Sequence, residues 1–476
     1  MERTYYGGYV YRMFMLFCGI MMTFMFSCCI SEIVEQEPAT IELHLGYRMQ
    51  FTASSKNVEW VSDNPSVATV SATGLVTAIS KGTATIYTYS SKGKQNIVCY
   101  LITYPKRNIL FYIGGDNDLL SETYQKINQV RAGWNPCKGE MIIYADQRNK
   151  GACLLRVNET KDAAGYYGLD TIAKYGAENS ADAGTLNRVI NKIVQDYPAD
   201  SYGMIFFSHA SGWLPKGTLN SPRSLVIDDG DGVKYEMEYD DFASAIPDKQ
   251  FDFILFEACL MADVMSMYEL RNKAEYVLAS SAEIVSPGFE PVYKNEIMRL
   301  YDTKNDIKSV VSGFGQSYYD HIISSYPEIS DVCSATLSLI KTDEMEALAA
   351  VTKSVLNGTE MDEKNVTPLS DIQWFDRPGK LGRNPYCRYF DFAHTIEKLM
   401  PEADRRAFNE QIEKTVVWKV ATKRFLLNGS NESPNFVEYD GFFIERHSGL
   451  TTYISQDVYP VLNSAFKGSS WYKAID

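Results

Sequence analysis

Five near-continuous apolar runs, each of strand length, follow one another between residues 108 and 283. They read NILFYIGG, EMIIYADQ, YGMIFFSH, FDFILFEAC and EYVLASSAE. Such runs are typical of strands that are buried on both faces of a mostly parallel sheet. Amphipathic stretches lie between them, and residues 183–197 carry apolar side chains at the spacing of a helix. The pattern predicts a three-layer α/β domain over residues 108–359, with helices on both faces of the sheet.

Residues 38–104 follow a different pattern, in which short alternating runs are separated by turn residues. This spacing predicts a small β-sandwich. Beyond residue 341, helical patterns over 342–357 and 391–415 precede a last β-rich stretch. We expect residues 360–476 to form a C-terminal extension packed on the α/β domain. The length of 476 residues also favours a chain of more than one domain.

The N-terminus has the pattern of an export signal. Residues 13–26 form an uncharged apolar run that is too short for a membrane span and is preceded by Arg3 and Arg12. The run ends in Ser27-Cys28-Cys29, which resembles the lipobox of bacterial lipoproteins. We therefore expect residues 1–28 to be a lipoprotein signal peptide, Cys28 to carry lipid and residues 29–37 to form a tether. The alternative is an ordinary cleaved secretory signal. Either way the protein is exported, and a lipid anchor on Cys28 predicts an outer-membrane or cell-surface lipoprotein.

Charge and cysteine content exclude several classes of function. The chain has 46 basic and 60 acidic residues, a net charge of -14, which argues against nucleic acid as a partner. Its nine cysteines are scattered without a CxxC pair. That is neither a zinc pattern nor a dense disulfide framework.

A histidine and a cysteine stand at the ends of two of the apolar runs. His209 closes YGMIFFSH and Cys259 closes FDFILFEAC, 50 residues later. Because the carboxyl ends of parallel strands meet at one edge of a sheet, the two side chains should emerge together. An imidazole beside a thiol makes the thiolate available and then protonates a leaving amine. Alone, each residue would be read as part of the core; together they predict a catalytic pair.

The motifs around these residues resemble the clostripain family of cysteine peptidases, relatives of gingipains and caspases. The family's opening A-D-N-D-L appears as Gly115 to Leu119, its H-G-x-G-W as His209 to Trp213, and its F-D-A-C-L-M as Phe256 to Met261. A later S-x-E…P-G segment appears as Ser281 to Gly288. Likewise, VEWVSDNPSVATVSATGLVTAISKGTATIYTYS closely resembles the bacterial Ig-like group 2 domain, a spacer or adhesion module.

The resemblance implies a caspase-like fold and an endopeptidase acting on peptides or proteins. It makes Cys259 the nucleophile and His209 the general base and acid, with the backbone N–H groups of Ala210 and Cys259 as the oxyanion hole. It also implies that Glu257, with Glu283 as a second wall, lines a pocket for Arg or Lys at P1, the residue before the scissile bond. A carboxylate that pairs a guanidinium is a physical reason for that preference. The alternative for both glutamates is a structural or solvated role.

Two positions depart from the family pattern. Ala210 stands where the family has Gly, and Glu257 stands where it has Asp. Alanine donates the same N–H, provided that the backbone does not need a positive φ. These departures support a rival interpretation, a surface binding protein that has kept the fold without activity. A second rival is a hydrolase or transferase that acts on a non-peptide amide.

An acidic loop, Asp116-Asn117-Asp118, lies at the same edge of the predicted sheet. Some relatives use calcium, and these carboxylates could ligate it. A helix cap by Asn117 or Asp118 explains the loop equally well, so no metal or other cofactor is expected. Some relatives are also cut in the loop after the histidine strand, which makes cleavage at Lys216 or Arg223 a hypothesis.

Overall fold

The computed structural model describes residues 38–476 except 54–56, 91–94, 105, 137–138, 149, 219–224, 230–232, 329–332, 377–386 and 427–440. The predicted signal peptide, Cys28, the tether and Arg223 lie outside the described residues. The chain divides after Thr103 into two compact units. Within the described part of the chain, no helix combines the length and apolar character that a membrane crossing requires.

The first unit is a β-sandwich. One sheet has the order β1-β7-β6-β3 and the other β2-β5-β4. The strands are β1 (Ala39–His44), β2 (Arg48–Gln50), β3 (Glu59–Ser62), β4 (Ala68–Val70), β5 (Leu75–Ala78), β6 (Gly82–Tyr89) and β7 (Gln95–Tyr104). Alternate side chains of β5 and β6 are buried, and Val76, Ala84 and Ile86 pack with Cys99 and Leu101 between the sheets. The predicted sandwich is confirmed.

The second unit is built on a nine-stranded sheet of order β11-β10-β9-β8-β12-β15-β16-β17-β19. Its strands are β8 (Arg107–Gly115), β9 (Met141–Gln147), β10 (Ala152–Lys161), β11 (Tyr167–Gly176), β12 (Ser201–Phe207), β15 (Phe251–Glu257), β16 (Ala274–Ala279), β17 (Thr336–Lys341) and β19 (Val416–Ala421). The five central strands, β9, β8, β12, β15 and β16, are parallel and correspond to the five apolar runs. Two antiparallel strands flank them on each side.

Helices cover both faces of this sheet. Successive residues of a strand point to opposite faces, so an unbroken apolar strand has a hydrophobic surface on each side that the helices bury. Ile109, Phe111 and Ile113 pack with one set of helices, and Leu110 and Tyr112 with the other. The first set is α1 (Leu120–Gly133), α5 (Glu290–Glu296) and α6 (Ile307–Ser325). The second is α2 (Ala183–Asp196), α3 (Tyr239–Ala245), α4 (Val264–Glu269), α7 (Met345–Leu356), α8 (Phe392–Leu399), α9 (Arg406–Thr415), α10 (Pro460–Gly468) and α11 (Ser470–Ile475). The three-layer α/β fold is confirmed.

The C-terminal residues are continuous with this unit. Strand β19 extends the main sheet, and Trp471 and Phe466 join the core of the second face. Short pairs complete the unit: β13 (Ile227–Asp228) with β14 (Tyr235–Glu236), β18 (Phe390–Asp391) with β22 (Thr451–Thr452), and β20 (Arg424–Leu426) with β21 (Gly441–Phe443). The 3-10 helices are Leu270–Asn272, Ile297–Tyr301, Thr342–Glu344, Leu369–Asp371 and Glu402–Asp404.

Candidate active site

The register of two neighbouring strands aligns His209 with Cys259. Strands β12 and β15 are parallel, and Phe207 lies opposite Glu257. Each of the two candidate residues follows its strand end by two positions. Because adjacent strands lie about 4.8 Å apart, equal offsets bring the two side chains to the same edge of the sheet.

A cavity of about 330 Å³ opens at this edge. His209 and Cys259 both line it, as do Glu257 and Glu283. Its remaining lining residues are Asp118, Leu119, Glu122, Lys126, Phe207, Ser208, Ala258, Ile284, Ser286 and Gly288. The predicted catalytic pair and the two predicted pocket glutamates therefore belong to one concave site, as expected of an active site.

Asp118 provides the imidazole with a carboxylate partner. Its Oδ1 lies 2.6 Å from Nε2 of His209. The His209 side chain is 23% exposed and that of Asp118 is 83% exposed, so this pair lies at the mouth of the cavity. Since Nε2 is engaged with Asp118, the predicted proton exchange with a thiol would use Nδ1. The sequence analysis missed this role, although it singled out the loop that carries Asp118.

The thiol of Cys259 is partly buried and accepts a hydrogen bond. The Ile284 N–H donates to Sγ over 3.4 Å. The next residue, Leu260, has a φ of 62° and donates its N–H to the Ala282 carbonyl. Left-handed backbone at a leucine is unusual and is held here by the neighbouring segment. Residues 282–284 thus fix both the thiol and the turn that follows it.

Ala210 does not adopt the positive φ that would disfavour alanine at this position. It is buried, and it is not one of the four non-glycine residues with positive φ in the described part of the chain. The left-handed position of this motif is Gly212, with a φ of 53°. A Cβ there would lie 2.4 Å from the Leu260 carbonyl oxygen. The glycine needed for close approach to the cysteine turn is therefore Gly212, and Ala210 is compatible with an N–H donor.

The carboxylate of Glu257 is occupied from within the protein. Lys126 Nζ lies 2.7 Å from Oε1, and the Phe289 N–H donates to the same oxygen over 2.5 Å. The Tyr293 hydroxyl donates to Oε2 over 2.6 Å. Burial raises the pKa of Glu257, and the ammonium of Lys126 and these two donors oppose that shift. The sequence analysis predicted that Glu257 lines a pocket for a substrate cation, and it did not predict the pairing with Lys126.

Glu283 is buried at the edge of the same cavity, with 9% of its surface exposed. Glu122 from α1 also lines the cavity, with a side chain that is 23% exposed. The cavity wall is therefore acidic at these two positions. Among the described residues that line the cavity, Lys126 is the only lysine.

The acidic loop separates into three roles. Asn117 donates to the Gly114 and Ile227 carbonyls and accepts from the Leu119 N–H, which fixes the turn into α1. Asp118 contacts His209. Asp116 instead lies with Asp146 and Asp228, whose carboxylate oxygens are all within 4.8 Å of one another.

These three buried carboxylates have the chemistry of a calcium site, since calcium prefers oxygen ligands. The same arrangement is also compatible with a proton that is shared between two of the carboxylates. Burial, followed by the charge and hydrogen bond of Asp228, raises the pKa of Asp146 to about 8. Asp228 in turn accepts from the N–H and hydroxyl of Ser180. The sequence analysis named Asp116 as a possible ligand but did not predict that Asp146 and Asp228 accompany it.

Comparisons with known proteins identify the families that the two units resemble. A model of the clostripain family matches residues 111–437, more than half of the chain, and a model of the bacterial Ig-like domain (group 2) matches residues 46–99. An inactive zymogen C11 protease from Parabacteroides distasonis is 28% identical over 79% of this chain and 99% of that protein, with a TM-score of 0.66.

A secreted C11 cysteine protease from Bacteroides thetaiotaomicron, solved with an irreversible peptide inhibitor, is 27% identical over 78% of this chain and 99% of that protein, with a TM-score of 0.64. No curated protein matches the chain. The two motif-based resemblances are confirmed. The chain belongs to the clostripain family of cysteine peptidases and carries a bacterial Ig-like domain before its peptidase unit.

Proposed function

We propose that the chain is a cysteine endopeptidase in which Cys259 and His209 form the catalytic dyad. The observation that carries this proposal is the β12–β15 register, which gives the two residues equal offsets beyond paired strand ends. Their shared position in one cavity with a third, carboxylate residue supports it. Family membership supports the class of reaction, and the positions of His209, Cys259 and Asp118 support the roles proposed for them.

The thiolate of Cys259 attacks the scissile carbonyl carbon, which forms a C–S bond and a tetrahedral oxyanion. The N–H groups of Ala210 and Cys259 stabilise this oxyanion. The imidazolium of His209 then gives its proton to the amide nitrogen, the C–N bond breaks and the amine leaves. The same imidazole then takes a proton from water, which attacks the thioester carbon. The C–S bond breaks, the carboxylic acid product leaves, and the imidazolium returns its proton to the thiolate of Cys259. Asp118 orients the ring and stabilises its charged form.

The decisive experiment compares the full chain with Cys259→Ala and with Cys153→Ala, a second partly buried free cysteine outside the cavity. Cleavage of a mixed peptide library should vanish in Cys259→Ala and persist in Cys153→Ala. Because a similar protein is described as an inactive zymogen, each sample is assayed before and after treatment with immobilised trypsin that is removed by filtration.

Alkylation by iodoacetamide separates the rival functions. Rapid alkylation of Cys259 with peptide cleavage supports the peptidase. Rapid alkylation without cleavage of any peptide favours a non-peptide amide as substrate. Slow alkylation of Cys259 together with no cleavage, in treated and untreated samples alike, would mean that the protein is a binding module.

Cleavage after basic residues depends on the carboxylates of the cavity. Glu283 supports such a preference because it lines the wall and would attract a cation, whereas Glu122 on the same wall lies 3.7 Å from Lys126. Glu257 supports it less than its sequence position implies, because Lys126 already pairs its carboxylate. A direct comparison of Arg, Lys and uncharged P1 residues in otherwise identical peptides tests the preference.

The protein acts outside the cytoplasm and is held to a membrane by lipid on Cys28. The apolar run at residues 13–26 followed by Ser27-Cys28 supports this localisation. The presence of an Ig-like domain and the similarity to a protease described as secreted agree with it. Replacement Cys28→Ser should abolish incorporation of labelled fatty acid, while Cys29→Ser should not. Equal incorporation into both variants would exclude Cys28 as the attachment site, and no incorporation into the wild-type chain would remove the lipid anchor from the proposal.

Self-cleavage at Lys216 or Arg223 is a further part of the proposed function. Lys216 is exposed on the segment that follows His209. If the protein cuts itself there, Lys216→Ala/Arg223→Ala should stay intact under conditions in which the wild-type chain gives two fragments. The same fragments from the double variant would exclude these sites.

A further inference from the structure

The floor of the active-site cavity contains a buried ion pair. Lys126 is on helix α1, 131 residues before Glu257, and the two side chains are 0% and 1% exposed. The ammonium donates to Glu257 Oε1 and to the Pro287 carbonyl, each over 2.7 Å. It also lies 4.5 Å from the centre of the Phe207 ring and 3.7 Å from Glu122. The lysine is thus surrounded by groups that suit a cation.

The carboxylate in this pair has no room for a second cationic partner at the same oxygen. Its Oε1 accepts from Lys126 and from the Phe289 N–H, and its Oε2 accepts from Tyr293. The backbone packs directly against it, since a Cβ on Gly288 would lie 2.3 Å from Oε1. A basic substrate side chain could reach Glu257 only by approaching the ammonium of Lys126 or by displacing it.

We infer that Lys126 is a specificity-determining residue whose ammonium takes the position that a basic P1 side chain would occupy on Glu257, so that the cavity selects an uncharged P1 residue. This inference rests on the proposed peptidase function and names its class of substrate. The lysine and glutamate neutralise each other at the floor. The protein supplies from α1 the cation that the carboxylate would otherwise take from a substrate.

Neither kind of ionised P1 side chain gains a free partner at the floor. A lysine or arginine entering the cavity finds Glu257 already paired with Lys126 and Glu122 within 3.7 Å of the same ammonium, so no new ion pair at the floor offsets the loss of its hydration. An aspartate or glutamate meets Glu122 and Glu283 on the walls as well as Glu257 below. An uncharged side chain avoids both penalties and can fill the apolar part of the cavity beside Phe207, Leu119 and Ile284.

The test uses the full chain and peptides that differ only at P1, which is Lys, Arg, Gln, Met or Glu. Gln and Met are close in length to Lys but uncharged. The wild-type protein should cleave the better of the Gln and Met peptides with a kcat/KM at least about tenfold above that for Lys or Arg. A wild-type preference for Lys or Arg of the same size overturns the inference.

Three variants examine the lysine itself. Lys126→Met leaves Glu257 without its internal cation, so the ratio of Lys to Met cleavage should rise at least about tenfold. Lys126→Arg keeps a cation there and should keep the wild-type preference. Lys126→Met/Glu257→Gln removes both charges and should not gain cleavage after Lys. An equal gain in the double variant and in Lys126→Met would show that Lys126 acts only through its bulk.

Failure of the inference can be told apart from failure of the proposed function. A protein that cleaves peptides in a Cys259-dependent manner but prefers basic P1 residues keeps its function and loses the role given to Lys126. A protein that cleaves none of the peptides, with or without prior trypsin treatment, loses both. Should Lys126→Met not fold because it buries an unpaired carboxylate, the wild-type preference and the double variant still decide the outcome.

Discussion

The carboxylate of Asp118 lies 2.6 Å from Nε2 of His209, at the mouth of the cavity that contains Cys259. The pair joins the turn before α1 to the end of β12, which are 91 residues apart in the chain. A carboxylate in this position fixes the ring and stabilises its positive charge. Because Asp118 is 83% exposed, water screens the interaction and limits its strength.

Replacement of that carboxylate should weaken catalysis without abolishing it. We expect Asp118→Asn to lower kcat about tenfold and to change KM little, if the side chain acts on the reaction through the histidine. Steady-state kinetics on an uncharged P1 peptide measures both constants. Asp240→Asn, an exposed aspartate on α3, serves as the control. Unchanged kcat in Asp118→Asn would restrict Asp118 to a structural role.

The oxyanion role proposed for Ala210 depends on its backbone N–H and not on its side chain. Ala210→Gly keeps the N–H and should retain kcat within about threefold. Ala210→Pro removes the N–H and should lower kcat by about 10²–10³. The rate of Cys259 alkylation reports whether the site of Ala210→Pro remains intact. Normal alkylation together with normal turnover in this variant would contradict the oxyanion assignment.

Gly288 should be sensitive to any side chain, because a Cβ there meets both strain and a clash. Its φ is 64°, and the added atom would lie 2.3 Å from Glu257 Oε1. Gly165, with a φ of 84° and open space around it, is the matched control. We expect Gly165→Ala to cost about 1 kcal/mol of unfolding free energy and Gly288→Ala about 1–3 kcal/mol more. Denaturant titration measures both; equal losses would show that the carboxylate moves freely.

The Asp116–Asp146–Asp228 cluster should make stability depend on pH. The pKa of Asp146 is about 8 in the folded protein, against an ordinary value of 3.8. Between these values the folded state holds a proton that the unfolded state releases, so the contribution of Asp146 to stability falls as pH rises from 4 to 8. Relative to Asp146→Asn, the wild-type unfolding free energy should therefore decrease over this range, on the order of a few kcal/mol.

Denaturant titrations at several pH values measure this difference. Asp228→Asn should also reduce the slope, because Asp228 contributes to the raised pKa of Asp146. A wild-type stability that instead rises with pH and with added calcium, and that loses both trends in Asp146→Asn, would assign the cluster to a metal ion and not to a shared proton.

The sequence predicts the centre of the sheet better than its edges. The parallel strands β8, β9, β12, β15 and β16 have burial on both faces and therefore read as unbroken apolar runs. The hairpin of β10 and β11 escapes notice because β11 lies at an edge and has no buried residue. A strand whose side chains are not fully buried on either face of the sheet shows no regular alternation of apolar and polar residues in the sequence.

The same limit applies to the site. His209 and Cys259 are predictable because each ends a strand, and the order of parallel strands brings such ends together. Lys126 is not, because a lysine within an amphipathic helix is ordinarily a solvated residue. Only the packing of α1 against the sheet brings its ammonium to Glu257, and no local pattern in either segment records that pairing.

The Lys126–Glu257 pair also restricts how the specificity of this protein can change over time. A single replacement that removes the charge of either residue leaves the other charge buried without a partner, which typically costs several kcal/mol. A gain of cleavage after basic residues through loss of Lys126 alone is therefore accompanied by a loss of stability. A mutational scan that scores only folding would record such changes as poorly tolerated, although one of them changes the preference at P1.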